Sequence, residues 1–180
     1  MSNKIVLGSG KLYVAEATAA VGGGYTIPAD ATLETAANLI GYIQGGATLE
    51  YTPEFYTAED DLGYVSKKYL TKEEAILKSG IMTWNADTLK TLCSTARVTS
   101  TATKKTAKIG GIGNYNGKNY VVRFLHEDSV DGDIRVTIVG SNESGFEMAF
   151  AKDKETVINA EFKAVPNDTD GTLIIYEEEV

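Results

Sequence analysis

The stretch EAILKSGIMTWNADTLKTLCSTA, residues 74–96, decides the fold class. Its second half carries Leu89, Leu92, Cys93 and Ala96 at i, i+3, i+4 and i+7, one face of an α-helix. Asn85 stands where an N-cap belongs, its side-chain oxygen placed to accept an N–H that the first turn leaves unpaired. Trp84 and Leu89 then occupy the two positions of a hydrophobic staple. The helix is expected over about 85–96, with Trp84, Leu89, Leu92 and Cys93 packing it down. The first half alternates Ala75, Leu77, Ser79, Ile81 and Thr83 against Ile76, Lys78, Gly80, Met82 and Trp84, which fits a strand buried on both sides. A capping box at Thr71-Lys72-Glu73-Glu74 offers a rival short helix over 72–79. Gly80 and Trp84 favour the strand. One helix is thus expected to cover a face or an opening of a sheet system.

The rest of the chain is strand-like. Residues 11–16 read as a first strand after Gly8-Ser9-Gly10, and 17–37, with Gly22-Gly23-Gly24, as a long loop arm. A strand resumes at 38–44 and turns at Gly45-Gly46. Ala47, Leu49, Tyr51 and Phe55 then alternate with Thr48, Glu50, Thr52 and Glu54, implying one core face and one wet face. The tip at 58–63 and the return at 64–70 complete a projecting hairpin over 47–70. After the helix, 97–117 is loop-rich, with a short strand candidate at 107–109. Tyr120–Leu125, 134–138, 146–150, 158–164 and 172–176 form a meander of strands joined by turns such as Asp131-Gly132. The expectation is a mainly β, antiparallel sandwich or small barrel with one flanking helix, a single domain over 1–180.

Composition narrows the function classes. The 180 residues carry a formal net charge of −8, 43% hydrophobic residues, 10 Tyr and 18 Gly. Such a chain can bury a substantial core. A nucleic-acid binder gains affinity by neutralising phosphates, which this balance disfavours. The single cysteine forbids an internal disulfide, and Cys93 reads as a small buried hydrophobe. No apolar run approaches the roughly 18 residues of a membrane span. MSNKIVLGSG is too weakly apolar for a signal peptide, so use without secretion is expected.

Chemical motifs fail on inspection. The lone histidine, His126, cannot anchor a zinc site or a triad alone, and reads as a turn residue. Gly8-Ser9-Gly10-Lys11 lacks the first glycine and the metal-binding hydroxyl of a phosphate loop, having Ile5 and Leu12 instead. Gly110-Gly111-Ile112-Gly113 has Asn116 where a dinucleotide fingerprint needs its third glycine. Asp168, Asp170, Gly171 and Glu177 match calcium-loop positions, but Pro166 holds the first. No catalytic residue, metal site or cofactor is expected, and Glu177-Glu178-Glu179 reads as a solvated strand end.

In series, GSGKLYVAE, NLIGYIQGGATLEYTPEFY, EAILKSGIMTWNADTLKTL and KNYVVRFLHED with GFEMAFAKDKETVINAEFKAVPNDTDGTLIIYEEE resemble bacteriophage tail tube proteins over nearly the whole chain. The resemblance departs at 17–37 and 97–117. It implies hexameric rings that stack into the hollow tail tube of the virion, assembled in the bacterial host cytoplasm. The implied partners are further copies of the chain, the tape-measure protein, and tail-tip and tail-terminator proteins. DNA would transit the lumen without specific binding, and no membrane would be involved. On that reading Thr48, Glu50, Thr52 and Glu54 are lumen-facing candidates and Glu59, Asp60 and Asp61 ring-stacking candidates. A tube subunit of a contractile tail, tailocin or injection machine shares these expectations. A capsid-decorating or carbohydrate-binding β-sandwich would instead show an exposed aromatic platform.

Overall fold

The computed structural model describes residues 6–179, so the N-terminal apolar run at 4–7 lies partly outside the described residues. The chain folds around one antiparallel eight-stranded sheet. Its strands are β1 (Lys11–Glu16), β4 (Leu39–Gly41), β5 (Ile43–Glu59), β6 (Ser66–Ile81), β9 (Tyr120–His126), β10 (Ile134–Asn142), β11 (Ile158–Ala164) and β12 (Ile175–Glu178). Two small hairpins, β2 (Thr18–Ala19) with β3 (Tyr25–Thr26) and β7 (Arg97–Ser100) with β8 (Lys105–Lys108), lie outside it. The order across the sheet is β4-β1-β9-β10-β11-β6-β5, with β12 pairing β10 beside the end of β11. The last strand therefore does not continue the meander but returns to β10.

Alternation along the central strands sends side chains to two faces, and each face has its own core. Leu12, Val122, Ile138, Ile158, Phe162 and Leu77 build the first. Tyr13, Val121, Leu125 and Val139 build the second, closed by Leu33. The first face is covered by helix α2 (Ala86–Leu92), the second by the segment that holds β2, β3 and helix α1 (Asp30–Leu33). The result is a mainly β, sandwich-like architecture with α2 flanking the sheet.

Several boundaries differ from the sequence reading. Residues 75–81 are strand, not helix, but only Ala75, Leu77, Ser79 and Ile81 are buried; the opposite face is half-exposed. Helix α2 stops at Leu92, because Cys93 is extended (φ −133°, ψ 113°) and buried Asn142 takes the Leu92 carbonyl by a 2.8 Å hydrogen bond. Cys93 is thus a half-buried cap residue, not part of the helix's apolar face. Residues 17–37 are no open arm: Tyr25 and Ile27 pack into the second core around the fully buried Leu33. Residues 146–150 form no strand despite their alternation. Strand β6 borders β11 from Ile158 to Lys163, but β10 reaches only Phe162 to Ala164; 146–150 stays out of the sheet although the β10-side edge at 158–161 is not taken by β10. Phe146 and Met148 fill the first core from a loop instead. Gly45-Gly46 is not a turn but a bulge between paired Gln44 and Ala47, with φ of 81° and 74° that favour glycine.

Asn85 caps α2 as its position requires, accepting from Asp87 N at 2.8 Å and Thr88 N at 3.2 Å, while Thr88 Oγ1 accepts from Asn85 N. Trp84 joins the core that contains Leu89, and its Nε1–H donates to the Thr156 carbonyl at 3.2 Å. Asn85→Ala should lower folding stability by about 1 kcal/mol. Urea unfolding checks this, with a lower midpoint at unchanged slope as the expected result.

Candidate assembly surface

The longest feature of the molecule is the ribbon of β5 and β6. Its pairing runs from Ile43↔Ile81 to Glu59↔Ser66. Strand β11 borders β6 only from Ile76 to Ile81. Beyond that, residues 49–73 are exposed, and among the described residues the two strands pair only with each other. The hairpin expected over 47–70 is therefore rooted deeper in the sheet, and its outer half has two open edges. Open edges present unpaired N–H and C=O groups, a template for another chain.

The register sorts the outer ribbon into two faces. One continues the buried face of β6 and carries Leu49, Tyr51, Phe55 and Leu70, which are 37%, 49%, 50% and 47% exposed. Alternation predicts this side as core, but past Ala75 it is exposed and no described residue covers it. Lys68 lies over the Phe55 ring at 4.1 Å, and Tyr51 Oη donates to Glu73. The other face brings Thr48, Glu50, Thr52 and Glu54 together, all exposed and opposite Lys78, Ile76, Glu74 and Lys72. Glu50 pairs Lys78 at 2.9 Å, Glu54 pairs Lys72 at 3.1 Å, and Glu74 bridges to Lys163 at 2.9 Å. The bond to Glu54 raises the Lys72 pKa, that to Glu50 raises Lys78, and Lys163 lowers Glu74. This face is a ladder of alternating sign, nearly neutral, rather than the acidic strip its β5 half suggests alone. Tyr56 and Tyr69 extend it outward.

The tip holds Glu59, Asp60 and Asp61 together. Asp60 ties the turn closed, its Oδ1 accepting from Val65 N at 2.7 Å and its Oδ2 from Leu62 N at 3.3 Å. The Val65 bond is the main cause that lowers its pKa below the ordinary 3.8. A depressed carboxylate contributes stability present above its unfolded value and lost as pH falls through the folded one. The Val65 amide resonance should accordingly titrate with a midpoint below 3.8, and a midpoint above it would contradict the bond.

Elsewhere two arginines gather a network of carboxylates. Arg123, with its side chain 3% exposed, donates from Nε to Thr137 Oγ1 at 2.8 Å and from Nη1 to Asp30 and to Glu34. Arg135 donates to Glu34 and Glu179, each at 2.8 Å, and the Glu34 bond is the main cause that raises its pKa. These bonds clamp α1 onto the second face. His126 is no turn residue: it is 4% exposed at the end of β9, with Nδ1 2.8 Å from the Ser9 carbonyl. Its Nε2 has no partner among the described residues. Asp168 accepts from Asp170 N and Thr172 N, which makes 168–172 a tight turn. Among the described residues no group of three His, Cys, Asp or Glu side chains could hold a metal, and no helix is long and apolar enough to cross a membrane.

No protein-family model matches the sequence, and no curated protein is detectably similar to it. The functional reading rests on the residues and their placement.

The sequence placed the lumen and stacking candidates on one hairpin and showed the dense basic cluster Lys104, Lys105 and Lys108, but missed the bare aromatic face and the Arg123–Arg135 clamp. Two arginines at inward positions of apolar strands were the signal for the clamp, since such charges require acidic partners.

Proposed function

We propose that this chain is a structural subunit that polymerises into a hollow tube of the bacteriophage tail type, and that it catalyses no reaction. The observation that carries this reading is the outer ribbon, residues 49–73, with two open edges and an apolar face that no described residue covers. A monomer that left such a surface in water would be prone to aggregation. Side-by-side pairing of ribbons in a closed ring removes every open edge, and a head-to-tail interface closes into rings when its rotation permits.

In such a ring the Thr48, Glu50, Thr52 and Glu54 face would line the lumen. Its alternating carboxylate and ammonium groups give DNA no run of positive charge to bind, so a duplex could slide. The other face would seat the apolar ribbon side against the neighbour. The partners are then further copies, a tape-measure protein within the lumen during assembly, tail-tip and terminator proteins at the ends, and DNA in transit. The location is the virion tail.

Sedimentation velocity over a range of concentrations tests the proposal. The 19.3 kDa subunit should give way to discrete closed oligomers and then to long polymers. A second reading has one observation in its favour: Tyr51, Phe55, Tyr56, Tyr64 and Tyr69 are exposed, as a carbohydrate-binding module requires. They are spread over both faces of a two-stranded ribbon instead of forming one platform. A monomer that binds oligosaccharide would favour that reading over the tube.

A further inference from the structure

The charges of this chain are segregated along the sequence. Between Lys11 and Lys67 there is no basic residue, and between Asp87 and Glu127 no acidic one. The fold pairs the acidic segment largely against bases outside it. Glu16 meets Lys118, Asp30 and Glu34 meet Arg123, Glu50 meets Lys78 and Glu54 meets Lys72. What is left of the acidic segment without an ion pair among the described residues is the ribbon tip, Glu59, Asp60 and Asp61. In the basic segment, Lys105 pairs Asp87, and Arg97 donates to Asn114 Oδ1 and the Gly110 carbonyl. Lys90, Lys104 and Lys108 are exposed and have no ion pair among the described residues. They lie on α2 and the β7–β8 hairpin, which packs on α2.

Both poles also expose apolar surface. Leu62, Tyr64 and Val65 are 75%, 83% and 69% exposed at the tip; Ile109, Ile112 and Tyr115 are 45%, 95% and 68% exposed just after β8. Unpaired charge of opposite sign, each beside uncovered apolar side chains, is the composition of two halves of one interface.

We propose that the acidic tip of the ribbon docks on the basic β7–β8 hairpin and the adjoining 109–115 loop of a second copy of this chain, head to tail. The tip on one copy and the hairpin on the next are different surfaces, so the contact is heterologous and propagates. The inference rests on the tube-subunit reading and names the contact that sets successive copies, or successive rings, in order. Leu62, Tyr64 and Val65 meet Ile109, Ile112 and Tyr115 at its centre, and Glu59 and Asp61 face Lys104 and Lys108 at its rim. Asp60 remains engaged in its own turn.

Charge exchange tests it. One variant carries Glu59→Lys and Asp61→Lys, the other Lys104→Glu and Lys108→Glu; circular dichroism checks that each is folded. Each alone sets like charges across the contact, and self-association should weaken about 100-fold, since like-charge juxtaposition costs several kcal/mol. Mixed in equal amounts they should assemble again, because every tip then meets a hairpin of opposite sign in strict alternation. The chain carrying all four substitutions should also assemble alone. The wild-type contact should weaken between about 0.05 M and 0.5 M salt as screening shortens the reach of the rim charges.

Variants that assemble like wild type, or a mixture that stays dissociated, would overturn this pairing while leaving the tube reading in place. Lys104→Glu and Lys108→Glu that assemble normally but lose binding to duplex DNA would assign the hairpin to nucleic acid instead. Wild-type protein that never self-associates would overturn both.

Discussion

Arg123→Ala is expected to remove about 3–5 kcal/mol of folding stability, the cost of taking one partner from a buried ion-pair network. Arg123 is an inward residue of β9, flanked on its face by Val121 and Leu125, and its side chain is 3% exposed. Its removal leaves the buried Thr137 hydroxyl without the Nε donor. It also leaves Glu34, 13% exposed, with Arg135 as its remaining cation and loosens α1 from the second face. Leu33, at the end of α1, closes the core there, so lost charge pairing becomes lost apolar packing. For a chain of this length the melting temperature should fall by about 10 °C. Combining Arg123→Met with Asp30→Asn and Glu34→Gln should recover much of the loss, because no carboxylate is then stranded. A loss under about 1 kcal/mol for Arg123→Ala would place the network among surface pairs of little weight.

The opposite outcome is expected from a much larger change at the ribbon. Replacing residues 52–74 by Asn-Gly should leave the body folded and abolish self-association. Tyr51 and Ala75 are directly opposed, so a two-residue type I′ turn can join them. The excised residues are exposed, apart from half-buried Glu74, and none belongs to either core. The ion pairs lost with them, Lys72–Glu54, Lys72–Glu74 and Lys163–Glu74, are at the surface and of small weight. The melting temperature should move by no more than a few degrees, while oligomers seen with the full chain disappear. Unfolding of the shortened chain would mean that the outer ribbon is structural. Normal assembly would remove it from the interface.

These two expectations mark what the sequence made legible. Strand β1 and the β5–β6 hairpin follow directly from alternation, and the α2 start from Asn85 and Trp84, because local pattern and cap chemistry are properties of neighbouring residues. The end of α2 was not legible: it depends on Asn142, distant in sequence, taking the Leu92 carbonyl. Alternation at Phe146, Met148 and Phe150 suggested a strand, but Phe146 and Met148 pack on the first core from a loop, and side-chain alternation does not by itself supply backbone pairing. The same limit applies to the ribbon. Alternation correctly separates Leu49, Tyr51 and Phe55 from Glu50, Thr52 and Glu54, yet it cannot tell whether the apolar side meets the chain's own core or another molecule. The charge segregation was fully present in the sequence. It gained meaning only once the fold paired Glu16, Asp30, Glu34, Glu50 and Glu54, and left Glu59 and Asp61 over.

Negative-stain electron microscopy of the concentrated, purified chain, with its solution mass measured in parallel, tests tube formation most directly. Closed rings with a central hole, or hollow tubes built from them, are the predicted result. A particle of 19.3 kDa at every concentration, with no rings in the field even when tail-tip complexes are supplied, would contradict it.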